Sequence, residues 1–271
     1  MRIEDLDTAR VHAFAGGAER QLADLAALGL DFDGPLVFQS DRREAYLEAI
    51  RMLGDHTYEC YCTRREIAEA ASAPHDGYRP YPGTCRRLSS GERDRLRRSR
   101  PAAIRVRADG LAWRVRDAFA GAVEGRVDDF VLVRGDGQVA YNLAVVVDDL
   151  AMGITHVTRG ADLLSSAPRQ AWLAAHLGGR QPDYAHAGLV VNEQGARLAK
   201  RDGSVTLGEL HARGLSASDV LALLSESLGL GPCRTVDEAL AAMPGPYPPD
   251  MARGATWNLN QGLCTSRMST T

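Results

Sequence analysis

The sequence predicts an α/β fold, on three observations. Helix-period and strand-like segments alternate along the chain, the residues at their junctions are those of strand-to-helix turns, and 271 residues with 45% hydrophobic and 25% charged content can bury an ordinary globular core. The opening "MRIEDLDTAR" packs Arg2, Glu4, Asp5 and Asp7 into seven residues, and reads as the end of a buried strand entering a functional loop. Residues 18 to 28 carry a helical pattern that stops at Gly29. "GPLVFQS" is then a short strand that delivers Ser40 as the N-cap of the apolar-periodic "REAYLEAIRML".

In "CYCTRREIAEAA", Thr63 and Glu66 stand at capping-box spacing, so a helix starts directly after Cys62. The turn-rich "SAPHDGYRPYPGTC" marks an insertion with its own small architecture. "AAIRVRA", "LAWRVRDAF" and "FVLVRGDGQVAYNLAVVV" are expected as strands, the last pair joined at Asp136-Gly137 as a hairpin. "ITHVTRGADLL" reads as a buried strand turning at Gly160, and "SSAPRQAWLAAHLGG" as a helix with Ser at its start, Pro168 in its first turn and Gly at its end. That order puts Arg159 at a strand's C-terminal end, where open α/β sheets bind ligands. "TLGELHARG" and "SASDVLALLSESLGL" carry helix caps at Thr206/Glu209 and Ser216/Asp219. Beyond them, Pro and Gly cluster without a sustained period, and 244–271 is expected to be a disordered tail.

No apolar run approaches bilayer-spanning length, and the N-terminus lacks the basic and apolar regions of a signal peptide, so a cytoplasmic protein without membrane partners is expected. The net charge of −3 hides an uneven distribution. Between Arg86 and Arg116 eleven arginines face three acids (Glu92, Asp94, Asp109), a candidate polyanion-facing surface, against the alternative of an Arg-rich solvated face. Of the 32 basic residues a single one is lysine, Lys200. A compact ammonium on a flexible stem suits a phosphate contact in a way a guanidinium does not.

Cys60, Cys62 and Cys85 cluster within 26 residues, far from Cys233 and Cys264. In a reducing compartment such a cluster points to metal rather than to disulfides. Three thiolates need a fourth ligand to close a tetrahedral zinc site: His75 is the generic choice, His56 a second, and Tyr81 would be unusual. Small buried cysteines without metal are the competing reading. In "GLVVNEQGARLAKRDG" a strand delivers a Gly-flanked loop carrying Arg197, Lys200 and Arg201, a mobile set of cations suited to a polyphosphate.

The segments "RIEDLDTAR", "DFDGPLVFQSDRREAY", "CYCTRREI", "YPGTC", "GRVDDFVLV", "YNLAVVVDDLAMGITHVTRGADLLSSAPRQ" and "ARLAKRDG", in this order, closely resemble the glutamyl-Q tRNA(Asp) synthetases, short paralogues of glutamyl-tRNA synthetase. The resemblance covers about residues 1 to 230. It implies a class I synthetase core of Rossmann type with a zinc-binding insertion and a small C-terminal helical region. The implied organisation is 1–55 as the remainder of the first core half, 56–110 as the insertion, 111–185 as the second half and 186–243 as a KMSKS-like loop with helices. The implied activity uses ATP, with Mg2+, to form glutamyl adenylate, then passes glutamate to queuosine in the anticodon stem-loop of tRNA(Asp). Glu4, Tyr141 and Arg159 match the family's glutamate-binding residues. Cys60, Cys62, Tyr81 and Cys85 match its ligands for one structural zinc, which replaces His75 by Tyr81.

Lys200 matches the ATP-contacting second Lys of the KMSKS loop, whose other positions are filled here by Arg197, Leu198, Ala199 and Arg201. In the resembled family "RIEDLD" is preceded by a strand and helix carrying a HIGH sequence, and no H-x-G-H occurs in this chain. The expectation is that Met1 is an internal methionine of a longer frame or that the chain is a decayed copy, and that these residues alone bind zinc without activating glutamate. Two rival readings stay open: a catalytically inactive RNA-binding zinc protein, and a fragment of a tRNA-charging glutamyl-tRNA synthetase.

Overall fold

The computed structural model describes residues 1–7, 16–63, 65–67, 81–192, 206–247 and 251, and the backbone alone of 255–258 and 263–266. The His75 candidate and the loop residues Arg197, Lys200 and Arg201 lie outside these described residues.

The first strand, β1 (Arg2–Ile3), pairs in parallel with β2 (Val37–Phe38), and α1 (Gly17–Ala27) lies between them in sequence. After a 3-10 turn over Gln39–Arg42 comes α2 (Arg43–Leu53), whose Tyr46, Ala49 and Leu53 recur at helical spacing and are buried. Ser40 does not cap α2, contrary to the sequence reading. The 3-10 turn takes the cap position, and the Ser40 N–H and hydroxyl instead donate to the Asp5 carboxylate at 2.9 and 2.6 Å.

The chain then builds an antiparallel sheet from β3 (Thr57–Cys60) and β4 (Ala103–Val106), with α3 (Ser90–Arg97) between them in sequence. Ser89 and Glu92 close a full capping box on α3. The expected Thr63/Glu66 box is present too, the Thr63 N–H donating to Glu66 Oε2 at 2.6 Å. Strand β5 (Ala112–Asp117) hairpins onto β6 (Gly121–Arg126), an element too glycine-rich to stand out in the sequence. Strand β7 (Val131–Val133) joins β4, so the sheet β3-β4-β7 runs across residue 110.

The turn at Asp136-Gly137 forms as expected, with Gly137 at φ 82° and the Arg134 N–H bonded to Gln138 O at 2.8 Å. Only the single bridge Val133↔Val139 follows it. "YNLAVVVDDLA", read as a strand, is the helix α4 (Tyr141–Ala151). A continuous apolar run fits a buried helix as well as a buried strand. Burial of Leu143, Ala144, Val145, Val146 and Asp148 shows that packing surrounds this helix.

Next come β8 (His156–Gly160), a 3-10 segment over Ala161–Ser166, α5 (Ala167–His176) with Pro168 in its first turn, and β9 (Asp183–Ala187). Their sheet has the order β6-β5-β9-β8, with β5, β9 and β8 parallel. Strand β8 is half-exposed rather than buried, because it occupies the sheet edge and pairs with β9 alone. Strand β10 (Val190–Val191) precedes three helices, α6 (Leu207–Ala212), α7 (Ala217–Ser227) and α8 (Val236–Ala242). The expected capping boxes at Thr206/Glu209 and Ser216/Asp219 both form. Within the segment expected to lack regular structure, β11 (Ala255–Asn258) and β12 (Leu263–Ser266) pair antiparallel, and β11 adds in parallel to β10. Backbone hydrogen bonds to a free strand edge require no apolar periodicity, which is why the sequence carries no sign of them.

The main core joins α2, α4 and α5 through Tyr46, Leu143 and Trp172 to Val106 of β4 and Leu132 of β7. A second cluster of Val115, Ala167, Ala171 and Tyr184 fixes α5 onto β5 and β9. Among the described residues no helix is long and apolar enough to cross a membrane.

Candidate active site and metal centre

Cys60 ends β3 and Cys85 stands in a turn, and with Cys62 their sulfurs lie within 4.8 Å of one another, so the three could hold a metal ion. Tyr81 Oη completes the cluster at 3.4 Å from Cys60 Sγ and 3.5 Å from Cys62 Sγ, while Cys62 and Cys85 Sγ are 3.5 Å apart. A tetrahedral ion with metal–sulfur bonds of about 2.3 Å and metal–oxygen bonds of about 2.0 Å would require S···O edges of roughly 3.5 Å and S···S edges of roughly 3.8 Å. Those three edges fit that geometry.

Its electrostatics are mixed. Burial pushes the Cys62 thiol up to about 12, the neighbouring sulfurs adding to the shift and Tyr81 opposing it. For Cys85 burial is outweighed by the Tyr61 N–H and the Tyr81 and cysteine contacts, which hold the thiol below its ordinary value. Burial raises the Tyr81 phenol, whose oxygen accepts the Cys85 N–H at 2.9 Å. Beneath the Tyr81 ring the buried Arg105 guanidinium sits 3.9 Å from the centroid, and the Tyr81 N–H donates to Asp128 at 3.2 Å. The cluster is thus clipped to β4 and to the chain before β7.

The arginine-rich stretch is partly neutralised in place. Arg86 pairs with Asp129 and Asp109, Arg97 with Glu59 and Asp94, Arg100 with Glu66, and Arg114 with Glu124. Four of those carboxylates, Glu59, Glu66, Glu124 and Asp129, come from outside the stretch and halve its charge excess. Arg87, Arg95, Arg98 and Arg116 remain exposed.

The other described candidates, Glu4, Tyr141 and Arg159, belong to the elements β1, α4 and β8. Glu4 follows β1 and its Oε1 accepts from Arg2 at 2.9 Å, while Arg2 Nη1 donates to Asp149 at 2.7 Å. Asp148 lies 3.9 Å from Arg2 and pairs with Arg42 at 2.6 Å. Two arginines therefore face three carboxylates, a balance that favours an additional cation. Burial raises the Asp149 carboxyl against the pull of Arg2.

At the C-terminal end of β8, Arg159 donates from Nε to His186 Nε2 at 3.0 Å, from Nη1 to Gln170 Oε1 at 2.7 Å and from Nη2 to Leu163 O at 3.3 Å. Gln170 in turn donates to Asn142 at 2.9 Å, the residue after Tyr141 in the first turn of α4. Tyr141 itself is 43% exposed at the start of α4. Asp149 and Gln170 line one cleft together with Arg180, Tyr184 and apolar residues of α4, α5 and β8. Asp149 is bonded to Arg2 and Gln170 to Arg159, so each cluster contributes one residue to the cleft lining.

Sequence reasoning missed Asp117, Asn142, Asp149, Gln170 and His186. Asp117 and His186 carry one legible signal, a polar residue at or near the C-terminal end of a parallel strand. Nothing in the sequence marks Gln170, which is one polar residue in an otherwise apolar helix face.

Comparison with known proteins identifies the family of the chain. The profile of the catalytic domain of class I tRNA synthetases (E and Q) matches residues 1–226. The chain is 56% identical over 235 residues to a glutamyl-Q tRNA(Asp) synthetase of Nocardia farcinica (strain IFM 10152), covering 86% of this chain and 74% of that protein. It is 51% identical over 231 residues to the protein of the same name from Cutibacterium acnes (strain DSM 16379 / KPA171202), covering 85% and 66%. Among solved structures it is similar to a glutamate tRNA ligase from Elizabethkingia meningosepticum, with a TM-score of 0.61 and 29% identity over 74% of this chain. The chain spans two thirds to three quarters of those relatives and under half, 45%, of that ligase.

Proposed function

Because the chain belongs to the class I tRNA synthetases (E and Q), we propose that it serves the ATP-dependent activation of glutamate and the transfer of glutamate to queuosine in the anticodon of tRNA(Asp), in the cytoplasm. The observation that carries this reading is a cleft lined by one residue from each of two complementary charge clusters, Asp149 and Gln170. The carboxylates of Glu4 and Asp149, which share the single Arg2 guanidinium, suit an ammonium, and the Arg159 guanidinium suits a carboxylate. Glu4, Tyr141 and Arg159 would bind glutamate, Tyr141 as an exposed amphipathic wall. Lys200 would act on the ATP phosphates, where charge redistributes as pyrophosphate leaves.

Cys60, Cys62, Cys85 and Tyr81 would hold one zinc ion. Four protein ligands leave no open position, so the ion's contribution is structural. It would tie the turn at Cys85 to β3 and hold α3 and its exposed Arg95 and Arg98 beside the sheet. Those two, with Arg87 and Arg116, are the candidates for phosphate contacts with the anticodon stem-loop.

Two assays test the reading. Glutamate-dependent exchange of pyrophosphate into ATP distinguishes an activating enzyme from an RNA-binding zinc protein. Offering tRNA(Asp) with queuosine beside tRNA(Glu) distinguishes transfer to the modified base from ordinary charging of an acceptor end. Glutamate transfer to tRNA(Glu) in preference to tRNA(Asp) would overturn the assignment of the acceptor, and failure to bind glutamate would overturn the whole.

A further inference from the structure

The hydrogen bonds around Arg159 use its donors in an ordered way. A guanidinium carries five N–H groups and no acceptor. Three are committed: Nε–H to His186, one on Nη1 to Gln170 and one on Nη2 to the Leu163 carbonyl. Two remain, one on each terminal nitrogen, which matches the two oxygens of a carboxylate.

The sheet register produces the His186 contact. Arg159 of β8 lies directly opposite His186 of β9, and adjacent positions on paired strands share a face. Asp117 at the end of β5 lies opposite Tyr184, so its carboxylate reaches His186 from the other side. Oδ1 of Asp117 accepts the Phe119 and Ala120 N–H groups, both at 2.9 Å. Oδ2 accepts the His186 backbone N–H at 3.1 Å and meets its Nδ1 at 2.6 Å. An ionised carboxylate only accepts, so Nδ1 carries the proton, and Arg159 only donates, so Nε2 is bare. The imidazole is therefore held neutral in one tautomer, with its side chain 1% exposed and its ring 5.7 Å from that of Tyr184.

We propose that His186, oriented by Asp117, is a positioning residue for Arg159: its Nε2 takes the Arg159 Nε–H, fixes the plane of the guanidinium and reserves two N–H groups for a carboxylate of glutamate. Because Nε lies in the guanidinium plane, an acceptor there sets the direction of the whole fork. The ordering cost then falls on folding rather than on binding, which is how preorganisation raises affinity. The inference rests on the reading that Arg159 binds glutamate.

Asparagine at 186 can reproduce the Nδ1–H donor toward Asp117 but not the Nε2 acceptor, whereas glutamine can place its Oε1 near the Nε2 position. Titration calorimetry of L-glutamate into the full chain, with wild type, Arg159→Ala, His186→Asn and His186→Gln in parallel, separates the roles. Arg159→Ala should reduce glutamate affinity the most. His186→Asn should weaken it on the order of tenfold, and His186→Gln by no more than about threefold, the scale of one hydrogen bond to a charged group. ATP affinity should stay unchanged in both His186 variants. Wild-type affinity in His186→Asn beside a loss in Arg159→Ala overturns the positioning role and leaves the reading of Arg159 intact. A larger loss in His186→Gln than in His186→Asn also overturns it, since the tie to Asp117 would then be what matters. Unchanged affinity in Arg159→Ala removes the glutamate role of Arg159 and this proposal together. Nitrogen-15 NMR of the wild-type ring provides a check independent of any substitution: a protonated Nδ1 and bare Nε2 are expected, and the opposite tautomer refutes the proposal.

Discussion

Asp148 is the residue whose loss the fold should feel most. Its side chain is fully buried in α4, where Oδ2 accepts Gln39 Nε2 at 2.8 Å and Tyr46 OH at 2.9 Å, and Oδ1 accepts Arg42 Nε at 2.6 Å. Substitution Asp148→Ala removes both acceptor oxygens and with them all three hydrogen bonds. Tyr46 is 0% exposed and Gln39 3%, so neither donor can turn to water, and each orphaned donor costs about 1–3 kcal/mol. The Arg42 side chain is 25% exposed and partly rehydrates, adding about 1 kcal/mol. The total is roughly 3–7 kcal/mol, a large part of the ~5–15 kcal/mol that holds a domain folded. Asp148→Asn keeps one oxygen, which can serve Gln39 and Tyr46 together while its amide faces Arg42, so it should cost about half as much. Urea unfolding followed by far-UV circular dichroism gives both values from the midpoint shift at constant slope. A loss below about 1 kcal/mol for Asp148→Ala, or equal losses for Ala and Asn, would refute the reasoning, because it assigns the cost to unpaired buried donors.

Three further outcomes are expected. Purified without chelator, the wild-type chain should carry one zinc, and Cys85→Ser should lower the metal content measured by elemental analysis; equal content in both would remove Cys85 from the ligand set. In a form competent for pyrophosphate exchange, Lys200→Ala should suppress the exchange rate far more than glutamate binding, with Lys200→Arg restoring only part; a matching fall in both quantities would indicate a folding defect instead. Burial lowers the His186 imidazole more than its Asp117 hydrogen bond raises it, and the Arg159 charge adds to the lowering. The unfolded chain then binds the extra proton first, so stability should fall as pH drops from 7 through about 6.5 toward the lower folded value. Thermal melting of wild type and His186→Gln across this range should show the wild type losing more; parallel curves would mean that His186 does not titrate differently in the two states.

Local signals in the chain survived folding. The capping pairs at Thr63/Glu66, Thr206/Glu209 and Ser216/Asp219 involve residues three apart, so their geometry is settled within one helical turn and can be read directly. The same holds for Pro168 in the first turn of α5 and for the Asp136-Gly137 turn. Cys60, Cys62 and Cys85 were legible as a group because two of them stand almost adjacent, but spacing alone pointed to His75. Tyr81 lies within 3.4 and 3.5 Å of the Cys60 and Cys62 sulfurs, and His75 lies outside the described residues.

What required the tertiary structure was everything decided by competition between partners distant in sequence. Ser40 is a good helix cap by composition, yet it bonds Asp5, 35 residues away. "YNLAVVVDDLA" became a helix because packing against α2 and α5 buries more of its sides than a strand face could. Most of the arginines between Arg86 and Arg116 formed ion pairs or backbone hydrogen bonds within the fold, which leaves Arg87, Arg95, Arg98 and Arg116 as the exposed remainder. The chain from Asp117 through His186, Arg159 and Gln170 to Asn142 spans β5, β9, β8, α5 and α4. Residue type and local spacing determine which groups can donate, accept or bind metal, and these are properties of single side chains and single turns. Which donor meets which acceptor depends on strand register and helix packing, because only the closed core brings together groups separated by tens of residues and removes the water that would otherwise satisfy them.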